Sequence, residues 1–362
     1  MQAINEGAAK IKIGKGVFYN PKMSKLRDVS VLFLRSLKLR NARLLDATAA
    51  TGIRGIRYER EAGIKNVTML DMNPHASKSA RANVALNKSR ARVIGKSLQE
   101  FAGSSGEVFD VIDIDPFGSP APMVHDALKL SKDGTSLMVT ATDTATLCGA
   151  EGSACLRIYG AKPIHNELCH ETSVRILLGF VAREAAQFNF GIEPILSIAD
   201  MHYIRVFLVL RHGAREAAGS VGMTGFLSHC SRCRSFSYKK GVAASADTKC
   251  TNCRADMQIF GPMWLGPLKN DKLVSSMRKL SRSYASETLR FVEKLDDELD
   301  MPFFYSIPKI TSILKIGSVS LEPVIKTLGK RHVVSRTQFD KDSVKTDADI
   351  GDVTAAVRSA AR

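Results

Sequence analysis

Val108-Phe109-Asp110-Val111-Ile112-Asp113-Ile114-Asp115-Pro116-Phe117-Gly118-Ser119-Pro120 joins an apolar, β-branched run to a rigid turn that holds an acid and an aromatic ring. A run of this length and composition reads as a buried central strand. Ligands of open α/β sheets bind beyond the carboxyl ends of such strands, so the Asp-Pro-Phe-Gly turn falls where chemistry is expected. Taken alone, the tetrapeptide reads equally well as a tight turn that happens to contain an acid.

Similar runs stand on both sides of it. Ala42 to Leu45, Asn66 to Leu70, Ala91 to Ile94 and Ser136 to Ala141 alternate with helical spacing, as in Pro74 to Asn87 and Ala121 to Leu130. Alternation of this kind predicts a parallel sheet with crossover helices. After a helical stretch around Glu167 to Ala186 come Ile192 to Ile198 and Tyr203 to Leu210. Only Ala199-Asp200-Met201-His202 separates these two, which is too short for a crossover and predicts an antiparallel hairpin. Five parallel strands closed by such a hairpin resemble the Rossmann-like sheet of the class I S-adenosylmethionine methyltransferases.

The chain has 362 residues, 44% of them hydrophobic, and two domains are expected at this length. We place the boundary at 225/226, with a zinc ribbon over about 226–262 opening the second domain. No apolar stretch approaches membrane-spanning length, and Met1 to Lys15 has no apolar signal core, so a cytoplasmic protein without membrane contact is expected. Lys and Arg outnumber Asp and Glu by 52 to 36. From Phe226 onward there are 23 basic and 15 acidic residues, against 29 and 21 before it, so the excess is not confined to a tail. A surface this basic favours a polyanionic partner. Nothing in the sequence points to an obligate protein partner.

Four of the seven cysteines form two pairs, Cys230-Ser-Arg-Cys233 and Cys250-Thr-Asn-Cys253, with sixteen residues between the inner members. That spacing is typical of zinc sites, and four thiolates close a tetrahedron without a place for water, so the expected zinc is structural. A redox motif would need one pair only. Cys148, Cys155 and Cys169 lack such spacing and read as buried reduced thiols.

The first strand leads into Asp46-Ala47-Thr48-Ala49-Ala50-Thr51-Gly52-Ile53-Arg54-Gly55, where Gly52 and Gly55 would let backbone approach a ligand. The G-x-G-x-x-G fingerprint of dinucleotide enzymes is absent. Asp71, at the end of the second strand, is placed to hold the two hydroxyls of a ribose.

Five stretches then identify the chain as resembling the tRNA (guanine-26) N2-dimethyltransferase family in its compact archaeal form. They are Val17-Phe18-Tyr19-Asn20-Pro21 with Arg27-Asp28; Thr51 to Gly55; Asp113 to Pro120; Leu156-Arg157-Ile158-Tyr159-Gly160 with Cys169-His170-Glu171; and Ser335-Arg336-Thr337-Gln338-Phe339. The resemblance covers nearly the whole chain. It implies that S-adenosylmethionine is held by Arg27, Arg54, Asp71, Ser97 and Leu98, and Asp46 and Gly52 of the turn after the first strand are expected to join them in binding the cofactor. The family usually carries an acid where Ser97 stands, and tends to carry His where Gln338 stands.

The residues themselves fit that chemistry. A guanine amine is a weak nucleophile, so its methylation depends on alignment and on relief of a proton as positive charge develops. Asp115 is placed to accept one amine hydrogen and the Pro116 carbonyl another, while Phe117 and Phe18 offer faces for the purine; Phe18 reads equally as core. The target base would have to leave its stack to enter. Three other readings differ in class: an N2-methyltransferase for another tRNA guanine, a catalytically dead tRNA-binding zinc-ribbon protein, and a small-molecule N-methyltransferase. In the C-terminal part, Lys272, Arg278, Lys279, Arg282 and Arg290 are candidates for phosphate contacts. So is Gly329 to Arg336, read as the edge of a small winged domain, whereas Asp296-Asp297-Glu298-Leu299-Asp300 is expected to face away from RNA.

Overall fold

The computed structural model describes residues 3–200 and 202–361. At its centre is a sheet of seven strands: β1 (Arg43–Asp46), β2 (Asn66–Leu70), β3 (Arg92–Ile94), β4 (Phe109–Ile114), β5 (Ser131–Ala141), β6 (Phe190–Asp200) and β7 (Tyr203–His212). Their order is β3-β2-β1-β4-β5-β7-β6. The first five are parallel, and β7 runs antiparallel to both β5 and β6. This is the Rossmann-like methyltransferase sheet with its antiparallel closing pair. Of the expected hairpin turn, Met201 lies outside the described residues.

Successive residues of the central strands supply two apolar cores, one on each face, because side chains of a strand alternate. Leu45, Ile112 and Leu137 pack under helices 98–104, 121–129 and 169–186. Leu44, Val111 and Met138 pack under helices 24–37 and 53–62.

The N-terminal hairpin, Ala3–Glu6 with Ala9–Lys12, had no expectation attached to it. Its second strand docks along helix Pro74–Leu86, where the Lys10 and Lys12 amides donate to the side-chain oxygens of Asn87 and Asn83 at 2.9 and 2.8 Å. It carries Glu6, a buried carboxylate that accepts from Arg27, Arg57 and Tyr19. The hairpin therefore lies against helices 53–62 and 74–86 and brings a charge that two arginines need.

Beyond residue 223 the packing divides. A three-stranded sheet, with Thr224–His229 between Phe236–Lys240 and Gln258–Trp264, joins the first core through Leu227, Phe260 and Met263. Gly179 makes this approach possible, since a Cβ there would stand 3.0 Å from the Trp264 nitrogen. Helices Asp271–Ser281 and Ser286–Asp297 join the second core. Among the described residues of this part, only 305–357 build a core of their own, around an antiparallel sheet in which Val334–Arg336 is an edge strand. No helix among the described residues is long and apolar enough to cross a membrane.

A buried charge cluster fastens these parts together. Glu171 accepts from Arg175 (2.9 and 2.7 Å) and from the Phe303 amide (2.7 Å), and Lys345 lies 3.4 Å from Glu171 and 3.2 Å from Glu298. Thr337 and Gln338 donate to Glu298, and Gln338 also donates to the Ser197 carbonyl. Burial alone would raise the Glu171 carboxyl, but Lys345 and Arg175 hold it below its ordinary range. The motifs at 169–171 and 335–339, far apart in sequence, thus meet as one joint. Part of the acidic stretch serves the same joint, so it is not simply a solvent-facing surface: Glu298 is buried, Asp300 accepts from the Leu268 amide, and Asp296 and Asp297 take Arg278. Arg278 is accordingly engaged within the protein, while Lys272, Lys279, Arg282 and Arg290 are exposed.

Glu171→Ala would leave the buried Arg175 without its carboxylate and Lys345 with Glu298 alone. The expected loss of stability is about 3–5 kcal/mol, read as a lower urea midpoint, and Glu171→Gln should lose less.

Candidate active site

A cavity of about 880 Å³ opens over the carboxyl ends of the strands. Strand order fixes what lies along it: Ser97 and Leu98 after β3, Asp71, Met72 and Asn73 after β2, Ala47 to Thr51 after β1, Asp115 to Phe117 after β4, and Thr142 after β5. The segment from Gly16 to Asn20, with Met23 and Arg27, closes it from above. Its size is that of a site for one drug-sized ligand or somewhat more.

Arg54, one residue into the helix after β1, is the hub of the floor. It donates from Nη2 to Asp46 at 2.9 Å and to the Thr48 carbonyl, and from Nη1 to Asp115, while Nε lies 3.6 Å from Asp113. Asp113 also accepts from Tyr58 (2.6 Å) and Arg205 (2.9 Å). Three carboxylates thus face two guanidiniums. Burial works against the charged form of Arg54, yet Asp46 and Asp113 hold it well above its ordinary range. Burial pushes the Asp46 carboxyl up, and Arg54 only partly opposes this because Asp113 adds to it. Asp113, Tyr58, Arg205 and Thr48 carried no expectation. The signal for Asp113 is a second charged residue, after Asp110, in a β-branched strand, on the same face as Asp115 two positions on.

Asp115 is partly exposed, and its amide donates to Thr48 Oγ1 at 3.0 Å. Pro116 turns the chain so that Phe117 stands 74% exposed at the cavity mouth. Phe18, 52% exposed, meets it edge to face with centroids 4.6 Å apart, and so is not a core residue. The turn is fixed from behind: the Gly118 amide donates to Thr142 Oγ1 at 2.7 Å, and Ser119 pairs with Tyr159, whose hydroxyl donates to Asp143. Two exposed rings beside a half-buried carboxylate suit a flat base with an amine.

At the other end, Asp71 accepts from the Ala50 and Asn73 amides, at 2.8 and 2.9 Å. Each oxygen keeps a lone pair for a ligand hydroxyl. Leu98 and Met72 supply apolar surface for a flat ring. Ser97 lines the cavity, but its hydroxyl is engaged in a capping box with Glu100. Arg27 lines it too, with its guanidinium held bidentately by Glu6. Two residues act beneath the site instead of within it. Asp46 is fully buried and holds Arg54. Gly52 does not line the cavity; a Cβ there would stand 3.3 Å from Ala80 and Met69, so the missing side chain makes room for packing.

Cys230, Cys233, Cys250 and Cys253 place their four sulfurs within 4.8 Å of one another, with closest pairs at 3.5 and 3.6 Å. Zinc–sulfur bonds of about 2.3 Å in a tetrahedron require sulfurs roughly 3.8 Å apart, so the donor set fits a zinc ion. Each pair sits on the same turn, closed by the amide of the next residue, Arg234 or Arg254, donating back to the first cysteine's carbonyl. Of the other thiols, Cys155 is buried as expected, but Cys148 and Cys169 are partly exposed and converge with His170. The loop after β5 and the start of helix Cys169–Ala186 bring them together, a proximity that spacing does not reveal.

The sequence model described as N2,N2-dimethylguanosine tRNA methyltransferase matches residues 2–358. The chain is 35% identical to the tRNA (guanine(26)-N(2))-dimethyltransferase of Thermococcus kodakarensis, over 99% of both chains. It is 37% identical to that of Pyrococcus abyssi, over 95% of each. Among solved structures, Trm1 from Pyrococcus horikoshii in complex with S-adenosyl-L-methionine superposes with a TM-score of 0.91 at 34% identity, covering 98% of this chain and 99% of that one.

Arg54→Met would leave Asp46, Asp113 and Asp115 with Arg205 alone. The expected loss is about 3–5 kcal/mol near neutral pH. Burial already pushes the Asp46 carboxyl up against the pull of Arg54, so in the variant the folded state would hold a proton there that the unfolded chain releases, and stability should recover as pH falls. Urea unfolding at neutral and mildly acidic pH checks both the loss and its sign.

Proposed function

The chain belongs to the N2,N2-dimethylguanosine tRNA methyltransferase family, and we propose that it methylates the exocyclic N2 amine of guanine 26 in tRNA, giving N2-methyl- and then N2,N2-dimethylguanosine. The observation that carries this reading is the Asp115-Pro116-Phe117 turn, which stands at one end of a cavity whose other end presents the carboxylate of Asp71. When bound, S-adenosylmethionine supplies an electrophilic methyl group on a cationic sulfur. Asp71 would take the ribose hydroxyls, Leu98 and Met72 would flank the adenine, and Arg54 would orient the groups between them. Three carboxylates against two guanidiniums in the floor favour a cationic ligand there.

The acceptor half follows from the same turn. A guanine released from its stack gives up a few kcal/mol of stacking, and Phe117 and Phe18 return part of it. The Asp115 carboxylate accepts one hydrogen of the amine and the Pro116 carbonyl another, which aims the nitrogen lone pair at the methyl group. As the nitrogen–carbon bond forms and the carbon–sulfur bond breaks, positive charge grows on nitrogen and Asp115 takes the proton. The second methylation repeats this with the remaining hydrogen.

Residues 1–225 serve as the methyltransferase domain in this reading, and residues 226–362 as the tRNA-binding part, with a structural zinc ion on Cys230, Cys233, Cys250 and Cys253. Lys330 and Arg331 are exposed beside the edge strand Val334–Arg336, which suits contact with phosphates more than with base edges. The setting is the cytoplasm, where tRNA is the polyanion that a formal charge of +16 would attract.

Transfer of labelled methyl from S-adenosylmethionine to unmodified tRNA transcripts, followed by nucleoside analysis, tests the reading. Label is expected in N2-methyl- and N2,N2-dimethylguanosine and should disappear when guanine 26 is replaced. Label at another guanine would shift the substrate site, and tight tRNA binding without transfer would leave a binding protein.

A further inference from the structure

We propose that Cys148, Cys169 and His170 form a second metal site, separate from the four-cysteine cluster, that takes a thiophilic divalent cation with zinc as its occupant. Cys148 caps the short helix Thr144–Leu147 in the segment after β5, while Cys169 and His170 open helix Cys169–Ala186. One ligand atom from each lies within 4.8 Å of the other two. All three residues are partly exposed, so an ion can reach them from solvent.

The chemistry of the donor set selects the metal. Two thiolates and a neutral imidazole cancel the charge of one zinc ion, which suits a half-buried place. Three protein ligands of sulfur and nitrogen leave a fourth position for water, an arrangement that zinc accepts. The outer partners are present as well. His170 Nδ1 lies 3.4 Å from the Phe339 carbonyl. With that nitrogen donating, Nε2 keeps the lone pair a metal needs, and a carbonyl behind a metal-bound histidine is its usual support. Ser173 Oγ stands 3.5 Å from Cys148 Sγ and donates to the Cys169 carbonyl at 2.7 Å, linking the two helix ends that carry the cysteines. A disulfide between the two cysteines would leave His170 without a role.

The ion would tie the segment after β5 to the helix that carries Glu171. Thr142 and Asp143 of that segment hold the Asp115-Pro116-Phe117 turn from behind, so on the methyltransferase reading the metal braces the acceptor pocket against the joint with the C-terminal part. The binding claim itself does not depend on that reading.

Metal content of the purified full chain, measured by mass spectrometry of the elements, tests it. Two zinc ions per chain are expected in the wild type and one in Cys148→Ser and in His170→Gln. Cys233→Ser probes the other cluster separately, so failure there leaves this site standing. Zinc content unchanged in both Cys148→Ser and His170→Gln would overturn the proposal, as would a Cys148–Cys169 disulfide found by non-reducing peptide mapping. Should those variants fail to fold, cobalt titration of the metal-free wild type decides: two cobalt ions with thiolate charge-transfer bands support the site, and a single one sinks it.

Discussion

One guanidinium at the head of the helix after β1 ties together the carboxyl ends of β1 and β4. Arg54 meets Asp46, Asp113 and Asp115, and without it three carboxylates, two of them fully buried, would crowd one floor. The turn that carries Asp115 can project its carboxylate and the Phe117 ring into the cavity only because its base is held there. Arg205 on β7 and Tyr58 complete the arrangement, so the closing antiparallel pair of the sheet helps to hold the site.

A second buried cluster does for the whole chain what the first does for the site. Glu171 and Glu298 with Arg175 and Lys345 couple the long helix under the sheet to the strand at 343–346 and to the segment 335–339. Buried ion pairs of this kind add little net stability, but they are costly to break and they fix geometry. On the proposed reading, that suits an enzyme whose C-terminal part holds tRNA at a set distance from a small reactive centre.

Much of this was legible in the sequence because it follows from period and spacing. The β-branched runs and the four-residue gap between the runs 192–198 and 203–210 fix the sheet and its antiparallel end, and the cysteine pairs fix the four-sulfur cluster. The Asp-Pro-Phe-Gly turn was visible as an acid and a ring at a strand's end. What could not be read depends on contacts between distant residues. Glu6 reaches Arg27 and Arg57 through a hairpin too short to announce itself, and Gln338 meets Glu298 and Ser197 across the fold. That Asp46 and Gly52 lie under the cavity was illegible for a related reason: strand-end residues can face the cavity or its support, and only the burial of Asp46 and the closeness of Met69 to Gly52 place them.

The assignment of Asp115 as the group that orients the amine and takes its proton is tested most directly by single-turnover methyl transfer with Asp115→Asn, at saturating S-adenosylmethionine and tRNA. Asparagine keeps the shape and one acceptor oxygen but cannot hold the proton. A rate lower by on the order of 10²–10⁴, with tRNA binding unchanged, is the predicted result. A rate equal to the wild type's would contradict the assignment and move the chemistry to another group in the cavity.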